Sequence, residues 1–296
     1  MSDTTASLRR KISSAEDLQS VVRTMKAVAA SSIGQYEKSV VALGDYYRTV
    51  ELGLGACLRA GATFVPPGVR QVGADHAPIG AIVFGSDQGL VGQFNDVVAD
   101  HAIQTLAALP GKPEVWAVGE RVHERLADAG LRMIGLFPVP SSVAAITPLV
   151  GRIQVQSEVQ RARGEYAQVY IFHNRPRGGS LYEPVSQRLL PLDADWIRSL
   201  RNIAWPTRSL PQIIGGIEST LPALVREYLF ISLFRACAES LASENASRLA
   251  AMQRADKNID DLLTGLHGTF HRLRQGGIDE ELFDVVSCYE AMTKPF

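Results

Sequence analysis

Two long proline-free ends constrain this chain more than any other feature of it. Of its 15 prolines, none falls in residues 1–65, none falls between Pro222 and Pro295, and twelve lie between Pro66 and Pro206. Proline costs a helix interior about 3 kcal/mol. The ends are therefore free to form long helices, and the middle must be built from short elements. Three parts are expected: an N-terminal helix in 1–65, a globular part in 66–208 and a C-terminal helix in 209–296.

Spacing supports both helices. Leu18, Val22, Met25, Ala29, Ile33, Tyr36, Val40, Leu43, Tyr47, Val50, Leu54 and Cys57 step by 4 or 3 throughout. That is the seam of a coiled coil. One pair of consecutive 4-steps, Met25 to Ala29 to Ile33, predicts a local unwinding of the supercoil. At the other end Ile231, Phe234, Ala238, Leu241, Asn245, Arg248, Met252, Ala255, Ile259, Leu262, Leu266, Thr269 and Leu273 keep the same alternation. Thr220 is the expected N-cap, with Pro222 in the first turn. A helix over 221–290 would be on the order of 100 Å long. The pair Gly276-Gly277 predicts either a bend or the close approach of another chain. Each seam is too narrow to be buried alone. An antiparallel pairing of the two helices buries both.

The middle alternates strand and helix patterns. "IGAIVFGS", "EVWAVG" and "LRMIGLFPV" read as strands, each followed by a helical stretch, and "YAQVYIFHNRP" and "LYEPVSQRLLPL" close the set. Such alternation predicts a mostly parallel, Rossmann-like sheet covered by helices. "RGGS" at 177–180 reads as a hairpin turn. The uncharged window Met133–Gly151 has the length of a membrane span. Its three prolines and two glycines fit a strand, a turn and a helix start better.

Composition excludes several functions. A net charge of −1, from 30 basic and 31 acidic residues, argues against nucleic-acid binding. Three scattered cysteines fit free thiols. The N-terminus lacks the apolar run of a secretory signal. The stretch "FGSDQGLVGQFN", 84–95, has the look of a phosphate loop. Its glycines are spaced neither as G-x-G-x-x-G nor as a P-loop, and no lysine is near. A tight strand-to-helix turn with glycines at φ > 0 is expected there, with Asp87 and Gln88 either capping the next helix or touching a neighbouring subunit. His267 and His271 have the i, i+4 spacing of metal ligands, but no glutamate follows the first and no third ligand is at hand. Ser86-Asp87 has no histidine partner in view. Neither a cofactor nor a metal is expected.

Polar residues on the C-terminal seam carry more information. Asn245 and Arg248 occupy positions that a coiled coil fills with apolar groups. They read equally as register devices and as contacts with a partner around the coil. "RLRQGG", 272–277, places donors suited to carboxylates and carbonyls on the last part of the helix.

At these residues the chain resembles a known family. "RTMKAVAASSI" (23–33), "ESLASENASRLAAMQRADKNIDDLL" (239–263) and "RLRQGGIDEELFDVVS" (272–287) are similar to the terminal helices of the gamma subunit of F-type ATP synthases. "GSDQGLVGQFN" resembles that family's loop, with Gln88 and Val91 in place of its Arg and Cys. Gly276-Gly277 and Asp279 replace a usual Ala-Ala and Thr, and "SSIGQYEKS" has only Lys38 where the family has a basic run. These departures are those expected of a divergent or secondary ATPase operon, the sodium type among them. The resemblance implies a non-catalytic rotor stalk on the cytoplasmic face of a bacterial inner membrane. Its coiled coil would sit inside a ring of alpha and beta subunits, and its foot, with epsilon, on the c ring. It would couple ion flow to ATP synthesis or hydrolysis at the beta subunits. Matched one at a time, Met25, Arg248, Arg274 and Gln275 are the implied beta-subunit contacts. The rival readings are a coiled-coil scaffold and an enzyme built on the middle domain.

Overall fold

The computed structural model describes residues 4–61, 78–162, 168–178, 181–192, 194–209 and 211–293. The expected start of the foot at 66, the turn residues 179–180 and the last three residues lie outside them. The elements run α1 (Thr5–Arg59), β1 (Ile79–Phe84), α2 (Phe94–Ala107), β2 (Pro113–Val118), α3 (Glu120–Asp128), β3 (Arg132–Phe137), α4 (Val143–Ala162), β4 (Gln168–Gly178), β5 (Leu181–Leu190), α5 (Ala194–Asn202) and α6 (Ile217–Thr293). Two long terminal helices thus flank a five-stranded α/β sheet in the chain. The charge-free window resolves into β3, a turn and the start of α4. No helix among the described residues is long and apolar enough to cross a membrane.

Two compact units form, Ala29–Arg248 and Met1–Val28 with Leu249–Phe296. In the larger, the sheet order is β3-β2-β1-β4-β5. β1 pairs in parallel with β2 and β4, β2 with β3, and β5 returns antiparallel to β4. Parallel strands need covering on both faces, and alternation along each strand assigns them. Ile79, Ala81 and Val83 of β1, Val115 and Ala117 of β2 and Phe172 of β4 pack with Val98, Ala102 and Leu106 of α2 and Val122 and Leu126 of α3. Ile82, Phe84, Trp116, Val118 and Ile171 face the other way. There they join Ile146, Leu149 and Ile153 of α4, Leu54 and Cys57 of α1, and Ile231, Ala238 and Leu241 of α6. In this unit Tyr46 of α1 donates to the Glu227 carboxylate at 2.9 Å, and Gly53 faces Leu224. Numbers rise on α1 as they fall on α6, so the pairing is antiparallel.

The smaller unit repeats that pairing. Ala15 and Val22 pack on Met252 and Ile259, with Met25, Ala255 and Leu263 against them. Lys26 and Arg23 meet Asp256 at 2.6 and 3.2 Å, Gln19 bonds Asp260, and the Arg9 guanidinium lies 5.6 Å over the Phe270 ring. The seam of α1 starts earlier than expected, at Leu8, Ile12 and Ala15, and continues through Gln19. Leu18 is 54% exposed and Leu262 likewise, while Gln19 and Leu263 take the inward positions. The reason is register: Leu8, Ile12 and Ala15 step by 4 and 3, which brings 19 and not 18 to the partner. α6 also begins earlier than expected. Thr220 lies inside its first turn, with its hydroxyl on the Gly216 carbonyl at 2.8 Å. Gly276 and Gly277 do not break it, and a Cβ at either would meet nothing within 4 Å.

Leu54→Ala removes a fully buried side chain and should lower stability by about 2–5 kcal/mol. Leu18→Ala should change it by less than about 0.5 kcal/mol. Urea unfolding of both variants checks the register.

Candidate functional site

The glycine-rich stretch is a structural junction. Ser86 is buried; its hydroxyl donates to the Gln88 carbonyl at 2.8 Å and accepts from Asn95 Nδ2 at 2.8 Å, and its N–H donates to Asn95 Oδ1. Asp87 caps a helix, though not the next one: its carboxylate accepts the Glu120 N–H at the start of α3 (3.1 Å) and the Val139 N–H beyond β3 (2.9 Å). A carboxylate at a helix N-terminus satisfies donors that would otherwise be orphaned. The anion that this turn holds is therefore its own. Of the three glycines only Gly92 adopts positive φ (60°), and Leu90 joins it at 63°. Gly85 is required for space instead, since a Cβ there would meet Val122 Cβ at 2.4 Å. Gln88 is exposed.

A second polar cluster escaped the sequence reading. Glu239 of α6 is buried against one imidazole and two guanidinium groups. Its Oε2 lies 2.8 Å from His173 Nε2 and 3.1 Å from Arg175 Nε, and its Oε1 lies 2.7 Å from Arg235 Nε. Burial opposes its ionisation, but the hydrogen bonds of His173 and Arg235 outweigh it and hold the carboxyl down at about 2. Nearby on the same helix, Glu244 behaves oppositely. Burial raises its pKa, and the Arg248 guanidinium at 2.6 Å only partly offsets that. The one signal for Glu239 in the sequence was its i, i+4 spacing from Arg235, which reads as readily as a solvated face.

The four residues implied as partner contacts stand in three settings. Met25 is half-buried in the seam of the smaller unit, against Val22 and Met252. Arg248 is half-buried in the larger unit and tied to Glu244, and its Nε and Glu244 Oε2 have no hydrogen-bond partner among the described residues. Arg274 and Gln275 are exposed on α6. From 271 to 289 every residue of that helix is exposed, including Ile278, Leu282, Phe283, Val285 and Tyr289. Asn245 is buried, and its Nδ2 donates to the Leu241 carbonyl of its own helix at 2.8 Å. His267 lies 4.0 Å from Glu16, and His271 stacks edge-on against Phe270. Among the described residues no group of three ligating side chains could hold a metal.

The family model described as ATP synthase matches residues 4–292. The ATP synthase gamma chain of Dechloromonas aromatica (strain RCB) is 25% identical, over 95% of this chain and 96% of the relative. That of Nitrosomonas europaea is 27% identical, over 94% and 96%. Among solved structures, a chain of the Euglena gracilis mitochondrial ATP synthase (OSCP/F1/c-ring, rotational state 3) aligns with TM-score 0.64 at 16% identity, over 99% of this chain and 98% of that one. A chain of the Tetrahymena thermophila mitochondrial ATP synthase central stalk and c ring aligns with TM-score 0.54 at 19% identity, over 79% and 99%.

Two outcomes follow from the site geometry. Asp87→Ala should cost about 1–2 kcal/mol in thermal or urea unfolding, by stripping a cap from α3. Because Glu239 has its folded pKa below the unfolded carboxylate value of about 4.3, its ionisation stabilises the fold fully above that value and is lost as pH falls toward 2. Stability measured at pH 6 and at pH 3 should therefore converge by about 1–3 kcal/mol in Glu239→Gln relative to wild type. Glu244 pulls the other way but is present in both proteins, so the difference isolates Glu239.

Proposed function

Because the chain belongs to the ATP synthase gamma family, a non-catalytic subunit of that enzyme, we propose that it is the central rotor stalk of an F-type ATP synthase. In this reading residues 1–65 and 209–296 form the shaft and 66–208 the foot. The shaft stands within a ring of alpha and beta subunits. The foot, with epsilon, rests on the c ring, peripheral to the cytoplasmic face of a bacterial inner membrane. Ion flow turns the ring and shaft, and the turning drives the beta sites through different affinities, a coupling by differential contact between two sites.

The observation that carries the proposal is the last stretch of α6. Large apolar side chains such as Leu282, Phe283, Val285 and Tyr289 stand exposed on one helix, with Arg274 and Gln275 among the residues before them. Exposed apolar surface of this extent marks a site for a partner. A sleeve of other subunits supplies apolar contacts for the leucines and phenylalanine and carboxylates or carbonyls for Arg274 and Gln275. Met25 supports the same reading from the seam. Arg248 contributes by exchanging Glu244 for a partner acceptor, an exchange favoured by the donor it leaves unused.

Arg274→Ala or Gln275→Ala, in the complex with alpha and beta subunits, should lower ATP turnover by about tenfold, the loss of roughly 1.4 kcal/mol of contact. Both residues are exposed, so the thermal midpoint of the isolated chain should not move. Wild-type turnover in both variants removes them from coupling. Failure of the wild-type chain to co-purify with alpha and beta ATPase subunits overturns the stalk reading itself.

A further inference from the structure

The larger unit contains a row of polar residues on α6 that the seam does not use. Arg235, Glu239, Ser243 and Ser247 are spaced by four, so they form one ridge along the helix. Each is bonded across or along it. Glu239 takes His173 and Arg175 from β4, and Arg235 from its own helix. Ser243 donates to the Asn174 carbonyl of β4 at 3.0 Å, and Ser247 donates to the Val91 carbonyl of the loop after β1. Asn174 in turn donates from Nδ2 to the Phe94 carbonyl at the start of α2 at 2.9 Å. Glu239, Ser243, Ser247, His173 and Asn174 are all buried.

The sheet side matches the ridge. On β4, Val169 and Ile171 belong to the apolar core shared with α6. The next positions on that face, His173 and Arg175, are polar where Glu239 arrives. Apolar packing is non-directional, and a helix held only by it can turn or slide by a fraction of a turn at small cost. Hydrogen bonds demand a donor and acceptor at fixed angles, and a buried group that loses its partner is left costly. A buried polar row therefore fixes phase more than it adds net stability.

We propose that the ridge Glu239–Ser243–Ser247 is a rotational lock that fixes the angle of α6 against the sheet. This rests on the stalk reading for its purpose: a shaft driven through its foot transmits torque only if helix and foot do not slip. Glu239 and His173 are positioning residues and touch no reacting group.

The test has two readouts. In the full chain with Cys288→Ser, spin labels on Asp128→Cys and Arg226→Cys, both exposed positions of the larger unit, report one distance between α3 and α6. Wild type should give a single narrow distribution. Glu239→Leu/Ser243→Ala should lose it to a broad or split one. Leu241→Ala, which removes packing but no hydrogen bond, should stay narrow while melting earlier. His173→Gln, which keeps a donor, should stay narrow and His173→Leu should not, so the lock is tested even if the double variant fails to fold. Narrow distributions in both Glu239→Leu/Ser243→Ala and His173→Leu overturn the lock. In the assembled complex, the same variants should lose torsional stiffness of the rotor in single-molecule rotation under load. Wild-type stiffness there overturns the transmission role. A wild-type chain that does not assemble overturns the stalk reading, while the distance measurement still decides the lock.

Discussion

The mutual burial of two narrow apolar stripes, one on α1 and one on α6, is the constraint on which the rest of the chain depends. Neither helix can bury its stripe against itself, and helical propensity alone does not hold such lengths in water. In the smaller unit the stripe is thin, built from Ala15, Val22, Met252 and Ile259, and polar clips at Asp256 and Asp260 edge it. In the larger unit the same stripe widens into a core shared with the sheet, and Leu54, Ile231 and Ala238 become fully enclosed. One pattern of spacing thus serves two tasks: pairing helix with helix, and seating the helices on a sheet.

Polar chemistry in this molecule acts on geometry more than on reaction. Asp87 gathers three successive pieces of the parallel sheet, binding from the loop after β1 to the start of α3 and to the chain beyond β3. Glu239 binds α6 to β4 through His173 and Arg175. Both carboxylates are spent inside the fold. The stretch of α6 past 270 leaves Ile278, Leu282, Phe283 and Val285 exposed, and it is there that contact with another chain has most to supply.

Much of this was legible in the sequence, and the exceptions have physical causes. The alternation of period-2 and period-3.6 stretches located β1 through β5 and α2 through α4, because each such element is long enough to complete its period. α5 follows the last strand outside the strand–helix alternation, so that alternation does not point to it, although at nine residues it is as long as α3. Leu18 and Leu262 fit the apolar spacing yet face outward. The true register was set by Leu8, Ile12 and Ala15, which bring the polar Gln19 inward. The helix runs on through Gly276-Gly277, whose propensity cost of about 1 kcal/mol each a long helix absorbs. The partners of Asp87 lie 33 and 52 residues away, and those of Glu239 on β4 more than 60, so no local spacing reveals them. The four proposed beta-subunit contacts rest on family resemblance and not on spacing. Their settings differ: Arg274 and Gln275 are open to a partner, Met25 shares the seam, and Arg248 is held by Glu244.

The central claim is that α6 is paired along most of its length and completed by other subunits beyond it. Hydrogen–deuterium exchange of the chain alone and in complex with alpha and beta subunits tests this directly. The account predicts slow exchange of amides in 229–259 in both states. It predicts fast exchange in 271–293 for the free chain and strong protection there only in the complex. Equal exchange of 271–293 in the two states would contradict it.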